Sequence, residues 1–421
     1  MVSRRLMEAL RGEGVDARML VCEKLTDSPY VELAASPKEI KRKFLTERLK
    51  IFLANGFNRS TLFKIDTGEE GLPLWRNPLI ADADAVLLNW VNQGMLSLKG
   101  LEKILRLGRP VIWTMHDMWC MTGICHHAGQ CNHFKGECGN CPLLGKKSRG
   151  KDLSHKVWWR KFKIFTQKPL MQKMAFVAVS SWLKGKGEDS RLLKGCRLEV
   201  IPNAFKIPNI LSDREPILER ESSQGMEKGN RRRILFGAAR LDDPIKGLDT
   251  LKETSKILKE KYPEIADGLE IAMFGNIKNP SLLDEFPLPL VRLGVLKGEE
   301  AVRKAYTDSD IVVSASSYET LPGTLVEAQA YGCVPIGFRR GGQEDIIDHR
   351  ITGYLASYDE DINQRARNLA EGIIWAIEEI KTKEERERMA KRMRENVEAR
   401  FSYPKIARQY ISLIETLRDE P

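Results

Sequence analysis

"RRILFGAARLDDPIKGLDTLKETSKILKEKY", residues 232–262, holds the plan of the chain in miniature. Residues 232–239 form a short run rich in Ile, Leu and Phe, without polar alternation. That pattern suits a strand covered on both faces, as in a parallel sheet. From Gly247 to Tyr262 the apolar residues recur at helical spacing. Between strand and helix sits a loop with Arg240, Lys246 and the turn Asp242-Asp243-Pro244. Strand, loop and returning helix make one β-α unit.

The unit repeats along the chain. Upstream strand candidates are "ARMLVC" (17–22), "DAVLLNW" (84–90), "PVIWTM" (110–115), "AFVAVS" (175–180) and "LEVIPN" (198–203). Downstream come "LEIAMFG" (269–275), "DIVVSAS" (310–316) and "CVPIGF" (333–338). The two series are separated by a polar stretch without periodicity. The class is therefore α/β, with two Rossmann-like doubly wound domains. The expected division is 1–205, a partly disordered linker 206–231, a second domain 232–400, and a closing amphipathic helix 401–421. A chain of 421 residues is too long for one ordinary core and ample for two. Ligands in such sheets bind at the carboxyl ends of strands. The expected active site is a cleft between the two domains.

The bulk composition narrows the partners. No apolar run approaches the length of a membrane span, and the start has no apolar signal core, so the expected location is cytoplasmic. Net charge is +10, from 68 Lys and Arg against 58 Asp and Glu. A basic balance fits nucleic acid, anionic lipid or an anionic small substrate. "KKSRGKDLSHKVWWRKFKIF", 146–165, interleaves bases with Trp158, Trp159, Phe162 and Phe165. It reads equally as a nucleic-acid strip, as a peripheral contact with an anionic membrane, or as a helix burying its aromatics in its own domain.

The second domain carries the clearest site. In "SSYETLPGTLVEAQAYGCVPIGFRRGG", 316–342, a strand end leads through "SYETLPG" into a helix beginning near Gly323-Thr324. A helix N-terminus has unpaired N–H groups and partial positive charge, which suits a phosphate. Glu319 stands at the strand end and Glu327 about one turn into the helix, each able to accept from sugar hydroxyls. Arg240 and Lys246, in the loop of another strand of the same sheet, can neutralise a diphosphate. A nucleotide-sugar combines these needs. The competing readings are a helix-dipole carboxylate for Glu327 and solvated surface charge for the cations.

Taken in order, "AVSSWLK" (178–184), "VIPNA" (200–204), Arg240-Leu241 with Lys246-Gly247, and the Glu-x7-Glu pair resemble the GT-B retaining glycosyltransferases often called family 4. The resemblance covers nearly the whole chain. The block "HDMWCMTGICHHAGQCNHFKGECGNCPLL", 116–144, is similar to one in bacterial polysaccharide-biosynthesis members of that group. It implies a donor UDP- or GDP-sugar, a glycan or lipid-linked acceptor, no catalytic metal and no nucleic acid. It also implies that Arg240 and Lys246 hold the diphosphate, Glu327 the ribose, and Glu319 and His116 the donor sugar. Gly323 and Thr324 would open the phosphate helix, Asn203 would lie near the hinge between domains, and the closing helix would pack back on the first domain. Two departures stand out. Thr320-Leu321-Pro322 replaces the family's glycines after the first Glu, and Pro322 has no N–H to donate. The Arg240–Lys246 interval is one residue longer than the common form. The rival readings are an inactive or truncated nucleotide-sugar binder, a nucleotide-sugar epimerase, and, in a different class, a basic nucleic-acid-binding protein with a zinc knuckle.

Two further expectations concern the first domain. The chain starts on what reads as the helix after a glycine-rich first turn, so a first strand is expected to be missing from its sheet. Five of the eight cysteines fall between 120 and 141. Cys125, Cys131, Cys138 and Cys141, spaced x5, x6 and x2, can form a structural zinc site, disulfides, or a set of buried free thiols.

Overall fold

A computed structural model describes residues 2–208 and 231–420. The chain divides into two compact units. One comprises Met1–Ala204 with Tyr403–Pro421, the other Phe205–Ser402. Of the expected linker 206–231, residues 209–230 lie outside the described residues.

In the first unit, β1 (Met19–Val21) and β2 (Val31–Leu33) form a two-stranded parallel sheet of their own. The main sheet has four parallel strands in the order β3 (Val86–Asn89), β4 (Val111–Met115), β5 (Met174–Ala178), β6 (Arg197–Val200). β4 and β5 are buried at every position, which explains their unbroken apolar sequences. The run at 17–22 supplies β1, but β1 does not join this sheet. The helices Val2–Gly12 and Tyr403–Asp419 share a core with it, built from Leu6, Leu10, Ile112, Val177, Ile406 and Leu413. Tyr410 fixes the closing helix to β4 through a hydrogen bond between its hydroxyl and that of Thr114, 2.9 Å.

The second unit holds a six-stranded parallel sheet. Its strands are β7 (Arg232–Arg240), β8 (Leu269–Asn276), β9 (Leu290–Gly294), β10 (Ile311–Val313), β11 (Val334–Phe338) and β12 (Tyr354–Ala356), in the order β12-β11-β10-β7-β8-β9. Sequential crossovers run outward from β7 to β9, and the chain then returns to lay β10 on the other side of β7. The crevice between the ends of β7 and β10 is the switch point where doubly wound sheets take their ligands. The register of β7 against β8 shifts between Gly237 and Arg240, which frees the strand end into the loop. β9, half-exposed at an edge, and β12, three residues long, gave no apolar run to read in the sequence.

Candidate functional site

A cavity of about 170 Å³ opens at the switch point of the second unit. Its walls include Gly237 and Ala239 from the end of β7, Lys246, Ser316, Glu319, and the helix start Gly323-Thr324. Lys246 Nζ donates to Glu319 Oε1 at 2.6 Å, so these two residues, 73 positions apart, meet in the cavity wall. The contact follows from how closely two loops are pressed together. Ser317 N–H donates to the Ile245 carbonyl at 2.9 Å. Gly247 has φ +73°, and a Cβ there would lie 2.1 Å from the Ala315 carbonyl oxygen. The helix Gly323–Tyr331 begins at Pro322, and no side chain caps its first turn. An ammonium and an uncapped helix N-terminus therefore face one cavity, a setting for an anion.

The sequence reading missed the bracket that holds this loop. After β11 the chain turns through Gly341, Gly342 and Gln343. Gly342 N–H donates to the Glu319 carbonyl at 2.9 Å. A Cβ on Gly342 would lie 1.8 Å from the Thr320 oxygen, and one on Gly341 2.4 Å from the Glu319 oxygen. Buried Gln343 accepts from Phe338 N–H at 3.1 Å and donates to the Ser316 carbonyl at 3.4 Å. Two adjacent glycines after a strand are a visible turn signal, but what they turn against is not visible in the sequence.

Glu327 lies one turn into the helix, outside the residues that line the cavity. Its Oε2 accepts from the hydroxyl of Tyr306 at 2.9 Å. Tyr306 is fully buried and stacks on Tyr331 with ring centroids 5.3 Å apart. Burial and the adjacent carboxylate push its phenol pKa well up, so it remains a donor and sets the carboxylate's orientation. Arg240 ends β7 but turns to acids of its own loop, Asp242 at 3.3 Å and Asp243 at 3.8 Å. It does not line the cavity.

His116 follows β4 in the first unit, with Nε2 3.1 Å from Asn89 Oδ1. Burial pushes its pKa down to about 4, so the ring is neutral near pH 7. Beside it lies a charged chain that the sequence did not disclose. His126 is bonded through Nδ1 to Asp117 Oδ2 (2.7 Å) and through Nε2 to Asp66 Oδ2 (2.8 Å). Asp66 also pairs with buried Arg48. Burial opposes charge on His126, but the two carboxylates outweigh it and push the pKa up to about 9. His126 and Asp117 stood inside the quoted block, whereas Asp66 lies 60 positions from its partner histidine and carried no signal. Asn203 sits just before the division of the units at Ala204.

Residues 219–396 match the family model described as Glycosyl transferases group 1. The matched residues fall within the second unit. A stretch of 177 residues is 29% identical to the N-acetyl-alpha-D-glucosaminyl L-malate synthase of Bacillus anthracis, covering 41% of this chain and 42% of that one. The chain thus matches about two fifths of the length of this curated relative. Among solved structures, a glycosyltransferase from Rickettsia africae superposes with TM-score 0.63 at 14% identity, over 100% of this chain and 95% of the other. HepE from Anabaena, solved in complex with UDP, gives 0.51 at 15% identity over 82% of each chain. At these identities the likeness concerns the fold, the two-domain α/β architecture known as GT-B.

The first unit holds the cysteines and the basic, aromatic segment singled out in the sequence. Cys125, Cys131, Cys138 and Cys141 do line one small cavity of about 20 Å³ together with His133. Yet among the described residues no three His, Cys, Asp or Glu side chains gather closely enough to hold a metal ion. All eight cysteines are free of disulfides. Burial pushes the thiols of Cys125, Cys138 and Cys141 up to about 12, which keeps them protonated. The basic, aromatic segment forms the helix Leu153–Phe165 with Trp158, Ile164 and Phe165 buried. Trp158 stacks on Phe162 at 5.0 Å, and Trp159 donates to Glu137. Trp159 and Phe162 remain half-buried beside this buried face.

Proposed function

We propose that the protein is a glycosyltransferase that moves a sugar from a nucleoside-diphosphate sugar, UDP- or GDP-linked, to a hydroxyl of a glycan or lipid-linked glycan, with retention of configuration. The observation that carries this reading is Lys246 and the uncapped start of the Gly323–Tyr331 helix lining one cavity at the sheet's switch point. The group 1 match over the same unit supports it, as does the likeness in fold to a protein solved with UDP.

In this reading the diphosphate lies between the Lys246 ammonium and the N–H groups of Gly323 and Thr324. These charges stabilise the leaving group as the glycosidic bond breaks, without any reorganisation of solvent. Glu327, aimed by Tyr306, takes the ribose hydroxyls. Glu319 exchanges part of its bond with Lys246 for hydroxyls of the donor sugar. Arg240 swings from Asp242 to the outer phosphate oxygens. His116 contributes a neutral imidazole, oriented by the bond from its Nε2–H to Asn89 Oδ1. Positioning and charge stabilisation then carry the reaction with no resident metal.

Calorimetric titration with UDP and GDP, on the wild type and on Glu327→Ala, tests the assignment. One nucleotide is expected to bind the wild type and to bind the variant at least tenfold more weakly. Failure of both nucleotides to bind the wild type would remove the donor site and the function with it.

A further inference from the structure

The helix Pro37–Ala54 is built inside out. Its inward face carries charge: Glu47 and Arg48 are buried, with Ile51. Glu47 Oε1 accepts from the N–H and hydroxyl of Thr67 at 2.9 and 2.7 Å, and its Oε2 from Glu70 N–H at 3.2 Å. Arg48 donates to the Leu62 carbonyl at 2.6 Å and pairs with Asp66. The outward face carries leucines. Leu45, Leu49 and Leu53, one helical turn apart, are 52, 57 and 53% exposed, and Phe57 and Phe63, packed on Phe52 and Phe44 of the same helix, 64 and 59%. Scattered exposed leucines need no explanation, but a contiguous stripe of this kind marks a contact surface.

The stripe is bordered by positive charge. Lys38, Lys41 and Arg42 are exposed on the helix's first turns, and Arg59 and Lys64 are exposed next to the phenylalanines. Lys38, Lys41, Arg59 and Lys64 have no ion-pair partner among the described residues, and the nearest acid to Arg42 is Glu39 at 3.9 Å. We propose that this face docks the protein on the surface of an anionic lipid bilayer, with Leu45, Leu49, Leu53 and Phe57 entering the headgroup–acyl boundary and the basic residues meeting lipid phosphates.

Three observations select that occupant. The apolar side chains protrude, as insertion into a soft interface requires. A second copy of the chain would bring the same cations against one another. The whole chain is also basic, at +10, which adds a long-range attraction to anionic lipid. No helix among the described residues is long and apolar enough to cross a membrane. The inner side of the same helix is bonded through Arg48 to Asp66 and thence to His126, so the docking face and the His116 end of β4 belong to one bonded block. The proposal does not depend on the donor-site reading.

The full chain is to be co-sedimented with vesicles of phosphatidylcholine alone and of phosphatidylcholine with phosphatidylglycerol. Partitioning onto the anionic vesicles is expected, falling at least tenfold in the combined variant Leu45→Gln, Leu49→Gln, Leu53→Gln and also in Lys38→Gln, Lys41→Gln, Arg42→Gln. Nucleotide titration of the leucine variant should be unchanged, which separates this surface from the donor site. As an independent readout, Phe57→Trp fluorescence should shift to the blue when anionic vesicles are added. Wild-type partitioning onto neither vesicle overturns the proposal. So does a leucine variant that binds as the wild type does, since that is adsorption by charge alone. A wild-type dimer that the leucine variant dissolves would make the face a contact between copies and also overturn it.

Discussion

Removing the ammonium of Lys246 tests the donor site most directly. This group is bonded to Glu319 at 2.6 Å, with the two side chains 29 and 19% exposed. A diphosphate would draw the ammonium from one carboxylate to a doubly charged group. A charge-assisted hydrogen bond of this kind contributes about 1.5–3 kcal/mol. Lys246→Ala should therefore weaken nucleoside-diphosphate binding roughly ten- to hundredfold. The fold should hardly notice, because a pair open to the cavity contributes about 1 kcal/mol and a Tm change of a few degrees. Glu319→Gln makes the opposite prediction for the free nucleotide. It removes the competing charge, which also repels phosphate, so the nucleotide alone should bind at least as tightly, while the nucleotide-sugar should lose its advantage over it. Isothermal calorimetry on the wild type, both variants and the double variant gives the coupling of the pair. A Lys246→Ala dissociation constant within twofold of the wild type, at unchanged Tm, would refute the assignment of this lysine to the phosphates.

Further outcomes follow from the same geometry. Gly342→Ala places a methyl group 1.8 Å from the Thr320 oxygen, so the 319–321 loop must shift; a loss of about 1–3 kcal/mol in urea unfolding and weaker nucleotide binding are expected together. Tyr306→Phe removes the donor to Glu327 and should cost about 1.5 kcal/mol of stability while weakening nucleotide binding without abolishing it. His126 has a folded pKa near 9 against an ordinary value near 6.5, so its stabilisation is fully present below about pH 6.5 and is lost as pH rises through 9. The gap is on the order of 3 kcal/mol. The difference in Tm between wild type and His126→Gln should therefore shrink between pH 6 and pH 10, and a gap constant with pH would contradict the pairing with Asp66 and Asp117.

The order of strands and helices was legible in the sequence because it rests on local periodicity. The unbroken apolar runs at 111–115 and 174–178 are strands buried on both faces, and their short length with turn signals on either side marks them as such. The loops bearing Lys246 and Glu319 were legible for the same reason, since each directly follows such a strand. That these two side chains meet, while Arg240 turns to Asp242, was decided by the β7–β10 neighbourhood and by the glycines at 247 and 342, which admit backbone where no Cβ fits. Tertiary packing also decided which face of each amphipathic helix is inside. The aromatic helix at 153–165 had an apolar surface to bury against and turned its tryptophan inward. The helix at 37–54 had the backbone donors of 67–70 and the carboxylate of Asp66 to satisfy, so it buried Glu47 and Arg48 and left its leucines outside. Periodicity states that a helix has two faces; what each face meets is set by chain segments tens of residues away.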